Sequence, residues 1–216
     1  MPPLLTYFNV RGRAEVIRLM LEETATPYRE RRVSVEEWPT LKPTLPLNQL
    51  PIYEEDDLYI FQSHAIYRYL ARKFNLQGRN ERERIRCDIV EETMIEAQSV
   101  VGTFYWSPDF AKKRDEFEAT TLQEVLRKMQ RVLEQNNNGN SFWVGDELTL
   151  GDFVAWHALD YVRPFSQKSI DRFEKLSAFK QRFESRPRIA AYLKSDRRPK
   201  TLTVHMAPFG GTPETS

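Results

Sequence analysis

Leu4-Leu5-Thr6-Tyr7-Phe8-Asn9-Val10-Arg11-Gly12-Arg13-Ala14-Glu15 decides the fold of this chain. Its apolar opening, Leu4 to Phe8, reads as a short strand. Ala14 to Glu23 behind it reads as a helix, with Val16, Ile17, Met20 and Leu21 on one broad face. Tyr28 to Val35 is the next strand candidate, and its arginines place it at a sheet edge. Pro39, Pro43 and Pro46, with Pro51 just beyond, leave no room for a long element between Trp38 and Asn48. Ile52-Tyr53-Glu54, an acidic turn at Glu55-Asp56-Asp57, and Leu58 to Phe61 have the pattern of a hairpin. Ser63 then opens a helix carrying Ile66, Leu70 and Phe74 four residues apart.

The order β-α-β, an irregular stretch, then β-β-α is the thioredoxin-like arrangement, a mixed sheet with helices on both faces. A redox thioredoxin carries a Cys-x-x-Cys at its first helix. Val10-Arg11-Gly12-Arg13 stands there instead, which excludes disulfide exchange. Beyond it the pattern becomes helical. Ile85, Ile89, Thr93, Ala97, Val100 and Phe104 keep helical spacing over a long element, and Leu122, Val125, Leu126, Met129, Val132 and Leu133 define a second. Asn136-Asn137-Asn138-Gly139-Asn140 ends that one abruptly. Thr149 and Asp152 form a capping-box-like pair, a structural start for a buried helix lined by Phe153, Trp156, Ala158, Leu159 and Val162. The chain therefore divides into an α/β domain over 1–75, a linker over 76–80 and an all-α domain over 81–216, with an irregular tail from about Pro199.

Bulk properties exclude several classes of function. The 216 residues hold enough chain for two small cores. A net charge of +1, from 32 Lys+Arg against 31 Asp+Glu, lacks the basic surplus a nucleic-acid binder needs. The basic residues between Arg79 and Arg86 are interrupted by Glu81 and Glu83 and read as a solvated helix start. The single cysteine, Cys87, permits no intramolecular disulfide and makes the cytosol the natural compartment. It falls in a helical pattern and reads as a small buried hydrophobe. His64, His157 and His205 match no metal-ligand spacing, so no metal is expected. No apolar run is long enough to span a bilayer, and the first residues lack the pattern of a signal peptide.

In order and spacing, Tyr7 to Glu15, Glu37 to Pro43, Gln49-Leu50-Pro51, Gln62-Ser63 and Gly145 to Phe153 resemble the cytosolic glutathione S-transferases over essentially the whole chain. Within that family the sequence looks like the tyrosine-type group. Asn9 and the Trp38-to-Lys42 stretch look sigma-like, while Met1-Pro2-Pro3 and Val10 to Arg13 are equally at home in pi enzymes.

The resemblance implies a homodimeric, cytoplasmic detoxification enzyme that joins reduced glutathione, its co-substrate, to electrophilic apolar molecules. Tyr7 would be the catalytic group, with Arg13 adding positive potential near the sulfur. Trp38 and Lys42 would meet the glycine end of the tripeptide, and Gln49 would help hold it. Leu50, before a cis Pro51, would pair its backbone with the cysteinyl unit. Gln62 and Ser63, at a helix N-terminus, would take the γ-glutamyl carboxylate. Glu96 stands where many relatives have an aspartate reaching across the dimer. Leu47 stands where several classes present an aromatic key to the neighbouring subunit. The electrophile pocket is expected from Phe8, Val10, Arg13, Tyr105, Trp106 and Phe209. Two other readings remain open: a glutathione-dependent prostaglandin D isomerase or peroxidase, and a non-catalytic crystallin or ligand carrier.

Overall fold

The computed structural model describes residues 1–204 and 206–211. The expectation for His205 lies outside the described residues. Four strands form one sheet in the order β2-β1-β3-β4: β1 (Leu4–Phe8), β2 (Arg29–Val33), β3 (Ile52–Glu55) and β4 (Leu58–Phe61). β1 runs parallel to β2, pairing Leu4 with Arg29 and Phe8 with Val33, and antiparallel to β3. β1 is central and buries Leu5, Thr6 and Tyr7 in succession, as a strand covered on both faces must. β2 is an edge strand, which is why Arg29, Arg31 and Arg32 are tolerated in it.

Helix α1 (Glu15–Glu23) crosses between β1 and β2, and α3 (Ser63–Lys73) follows the hairpin and packs on α1. The proline-rich stretch folds into one helical turn, α2 (Trp38–Leu41), and a 3-10 turn at Lys42–Thr44. Together these elements make a thioredoxin-like N-terminal domain. The all-helical remainder comprises α4 (Glu81–Tyr105), α5 (Phe110–Ala119), α6 (Thr121–Glu134), α7 (Leu150–Asp171), α8 (Glu174–Glu184) and α9 (Pro187–Leu193).

α7 is the axis of that second layer. Every residue from Leu150 to Asp160 is buried, and the helix packs on α1, α3, α4, α6 and α8. Its start is the expected capping box. The Asp152 carboxylate accepts from the amides of Thr149 (2.9 Å) and Trp143 (3.0 Å) and from the Thr149 hydroxyl (3.2 Å). A backbone bond from Leu150 to the Leu76 carbonyl (2.7 Å) ties it to the segment after α3. Cys87 is buried in α4 with its thiol pushed up to about 12 by burial, so it carries no nucleophilic chemistry.

The long helix expected through Ile85 to Phe104 forms as α4. The row Ile85, Ile89, Thr93 does not face the core. α4 buries Cys87, Val90, Met94, Ala97, Val101 and Tyr105, leaving Ile85 52% and Ile89 49% exposed. Residues 199–204 and 206–211 are irregular, as expected, and part of this stretch packs against the first domain. Leu202 is fully buried, and the carbonyls of Thr201 and Leu202 accept from the amides of Arg11 (2.9 Å) and Gly12 (3.0 Å).

Candidate active site

Tyr7 sits near the C-terminal end of β1 and keeps 8% of its surface accessible. The chain then turns through a 3-10 segment at Gly12–Ala14, where Gly12 adopts φ +39°. That turn brings the Arg13 amide to the phenol, and the Arg13 N–H donates to the Tyr7 Oη at 3.1 Å. The Tyr67 hydroxyl donates to the Arg13 carbonyl from α3. Burial raises the Tyr7 pKa, opposed in part by the Arg13 amide and by the charges of Arg18 and Arg13. The phenol therefore keeps its proton at neutral pH. One lone pair is occupied by Arg13, so the O–H is left to donate to an incoming group.

Beside this turn, Arg13, Gln49, Leu50, Pro51, Gln62 and Ser63 line a single narrow groove together with Leu47 and Phe61. Three separate loops meet there. The Leu50–Pro51 bond is cis. Gln62 holds φ 73° and ψ 111°, a conformation costing a non-glycine residue about 1–3 kcal/mol and typical of ligand sites. It places Ser63 as the first residue of α3, whose first-turn amides have no acceptor within the helix. Trp38 packs edge-on against Phe8 (5.0 Å between ring centroids), which in turn packs on Tyr7 (5.6 Å). Lys42 is exposed on the neighbouring 3-10 turn. Glu96 does not join the groove of its own chain: it lies exposed on α4, 3.1 Å from Lys128 of α6.

A wide cleft of about 750 Å³ opens between the two layers, lined by Arg13, His64, Gln98, Trp106, Tyr161 and Thr203 among others. Arg13 lines both the groove and the cleft. Trp106, 51% exposed, is a wall of the cleft. Tyr105 is not, which corrects the expectation. It is fully buried, and its hydroxyl donates to the Tyr161 carbonyl. Phe209 stacks on Tyr105 at 4.0 Å and covers that ring from outside. Val10 is buried, with its carbonyl accepting from Arg18, and Phe8 is committed to Trp38 and Tyr7. Tyr161, His64 and Gln98 also line the cleft, and no motif in the sequence marks them. Burial and the charges of Arg13 and Arg68 lower the His64 pKa, so it faces the cleft as a neutral ring.

The architecture defines a thioredoxin-like domain joined to a helical domain, with a narrow groove at the cis-proline loop. Residues 3–72 match the family model for the glutathione S-transferase N-terminal domain, and residues 97–196 match that for the C-terminal domain. The chain belongs to the glutathione S-transferase family and is a glutathione transferase enzyme. It is 37% identical to glutathione S-transferase Mu 1 of Mus musculus over 207 residues, covering 91% of this chain and 93% of that one. It is 36% identical to the Bos taurus Mu 1 protein over 221 residues, covering 97% and 99%. Among solved structures, the Pi-class glutathione S-transferase of Onchocerca volvulus superposes with a TM-score of 0.89 at 30% identity, covering 96% of this chain and all of that one.

Proposed function

We propose that this transferase conjugates reduced glutathione to electrophilic apolar molecules, with the Tyr7 hydroxyl stabilising the thiolate. A free cysteine-type thiol has a pKa of about 8.5, so only a few per cent is nucleophilic at neutral pH. A hydrogen bond donated to sulfur favours the charged form. The supporting observation is the Arg13 N–H on the Tyr7 oxygen, which orients the phenol and leaves its proton for the sulfur. Gln49, the Leu50 backbone and Gln62 hold the tripeptide. The amides at Ser63 take the γ-glutamyl carboxylate, and Lys42 with Trp38 takes the glycine end. Trp106, beside the cleft opening, and Arg13 meet the electrophile.

The tyrosine-type reading needs only Tyr7. The sigma-like features, Asn9 and the Trp38-to-Lys42 stretch, stand beside relatives named Mu and Pi, so the finer class belongs to this proposal as well. Homodimerisation is also proposed. Ile85, Ile89, Leu47 and Phe61 present exposed apolar surface that a second copy would cover, with Glu96 brought to the partner's groove.

The test compares wild type with Tyr7→Phe. Both should be retained on immobilised glutathione, and conjugation by the variant should fall about a hundredfold. Equal rates would overturn the mechanism. Binding without turnover in the wild type would indicate a carrier, and turnover confined to prostaglandin isomerisation or peroxide reduction would indicate those activities instead.

A further inference from the structure

A cluster of buried charges lies directly behind the Tyr7 turn. Arg11, Glu15, Arg18 and Asp160 are fully buried and Arg198 is 6% exposed. Arg11 Nε lies 2.9 Å from Asp160 Oδ2, and Arg198 bridges Asp160 (3.0 Å) and Glu15 (2.7 Å). Arg18 pairs with Glu15 (3.2 Å) and Glu30 (2.6 Å). Three guanidinium groups against two carboxylates leave an excess of one positive charge in the buried set. Glu30, with 14% of its side chain exposed, supplies the countercharge from the rim, and Arg163, 28% exposed, reaches Asp160 from the other side (3.3 Å). With the rim included, Arg32 also pairs with Glu30 (2.8 Å), so Arg11, Arg18, Arg32, Arg163 and Arg198 face only Glu15, Glu30 and Asp160, a positive surplus that joining two layers does not require.

The surplus points at the phenol. The Arg18 guanidinium carbon stands 6.0 Å from the Tyr7 ring centroid, and its Nη1 donates to the carbonyls of Val10 (3.0 Å) and Arg11 (3.2 Å). Arg18 thus clamps the turn that presents the Arg13 amide and holds a cation beneath the ring. The other titratable groups facing the phenol and Arg18 are Tyr28 before β2, Arg32 on β2 beside Glu30, His64 and Tyr67 on α3, Tyr161 on α7, Tyr192 on α9 and the exposed Arg13; neutral, buried His157 stands on α7 beside Asp160 and Glu15. In a poorly screened interior such a charge favours an anion at the hydroxyl over many ångströms.

We infer that this cluster sets the acidity of the thiol bound at Tyr7: Arg18 acts as a positioning and field-generating residue, and the cluster's net charge tunes the thiolate fraction. The inference rests on the proposed contact between Tyr7 and glutathione sulfur. It is tested by titrating the ultraviolet absorbance of the thiolate in the glutathione complex of each variant. Glu30→Gln, which removes a negative charge at the rim, should lower the bound-thiol pKa by about half a unit. Arg18→Gln should raise it by at least as much. Where Arg18→Gln does not fold, Arg163→Gln removes a cation at the rim and should raise it by a smaller amount. A merely structural cluster would loosen in every variant and move all of them upward, towards free glutathione. Shifts of one sign, or none, overturn the inference. Tyr7→Phe in the same titration separates the two readings. If it matches wild type, the Tyr7 contact fails. If it rises while the charge variants do not part in sign, this inference alone fails.

Discussion

Gly12 is the smallest residue in the site and the least replaceable. Its φ of +39° already disfavours a side chain, and a Cβ there would sit 2.6 Å from the Tyr7 Oη and 3.0 Å from its Cε1. Neither the central strand nor the turn can yield easily. Gly12→Ala is therefore expected to push the phenol off the Arg13 amide and lower conjugation at least about tenfold, with about 1–2 kcal/mol lost in stability. Steady-state kinetics with urea unfolding of the same variant will show both. Full activity with an unchanged midpoint would mean that the turn adapts without moving Tyr7. At this scale the sequence is most readable where function sits on short loops: Arg13, Gln49, Leu50, Pro51, Gln62 and Ser63 come from three turns, and the fold draws them to one groove. It is least readable on helices. Tyr105 and Trp106 are adjacent, so about 100° of helical rotation puts one in the core and the other in the cleft. Nothing in their spacing says which. Tyr161 is illegible for the same reason, since a tyrosine amid Leu159 and Val162 has the same pattern whether it faces core or cleft.

At the scale of elements, the strands, α1, α3 and the start of α7 follow from periodicity and capping signals, because each buries one face against a neighbour. α5 does not announce itself: Ala111-Lys112-Lys113-Arg114-Asp115-Glu116 carries no apolar stripe, and Phe117 alone of that helix is buried. α7 also runs farther than Pro164 suggests. Its backbone breaks at Ser166 (φ −162°, ψ 98°), and the helix restarts because the Ser166 hydroxyl accepts from the Ser169 amide at 3.1 Å while Glu118 accepts from both serine hydroxyls. The capping box at the other end makes a sharper claim. Thr149 is an N-cap whose hydroxyl and amide both bond Asp152, at the start of the most buried helix. Thr149→Ala should cost about 1–2 kcal/mol in urea unfolding while leaving the glutathione affinity of the folded protein unchanged. A cost below a few tenths would mean that Asp152 alone carries the cap.

At the scale of the whole molecule, the two layers meet across charge, and one neutral group is held within it. His157 on α7 is fully buried. Its Nδ1 lies 3.1 Å from the Gln98 amide nitrogen, which makes Nδ1 the acceptor and puts the proton on Nε2. Burial depresses its pKa from 6.5 to about 4, with Asp160 and Glu15 pulling the other way and Arg11 and Arg198 adding to the depression. The unfolded chain takes up a proton below 6.5 where the folded protein does not. The stability this histidine contributes is thus complete above pH 6.5 and lost as pH falls towards 4. At about 1.4 kcal/mol per unit, the loss between pH 6.5 and 5 is about 2 kcal/mol. Asp152 titrates in the same window with the opposite sign. Burial holds its carboxyl up to about 6, so the folded protein binds that proton first and gains stability as pH falls from 6 to 5. The wild-type curve alone mixes the two. Subtracting the curve of His157→Leu removes Asp152 and every other common group. The variant removes the charge but leaves Gln98 open to water in the cleft. Its unfolding free energy should therefore fall less steeply on acidification, by about 2 kcal/mol over that interval, whatever its absolute stability. Parallel curves would mean that water or a proton reaches His157 in the folded state, and that the seam between the layers is looser than its burial implies.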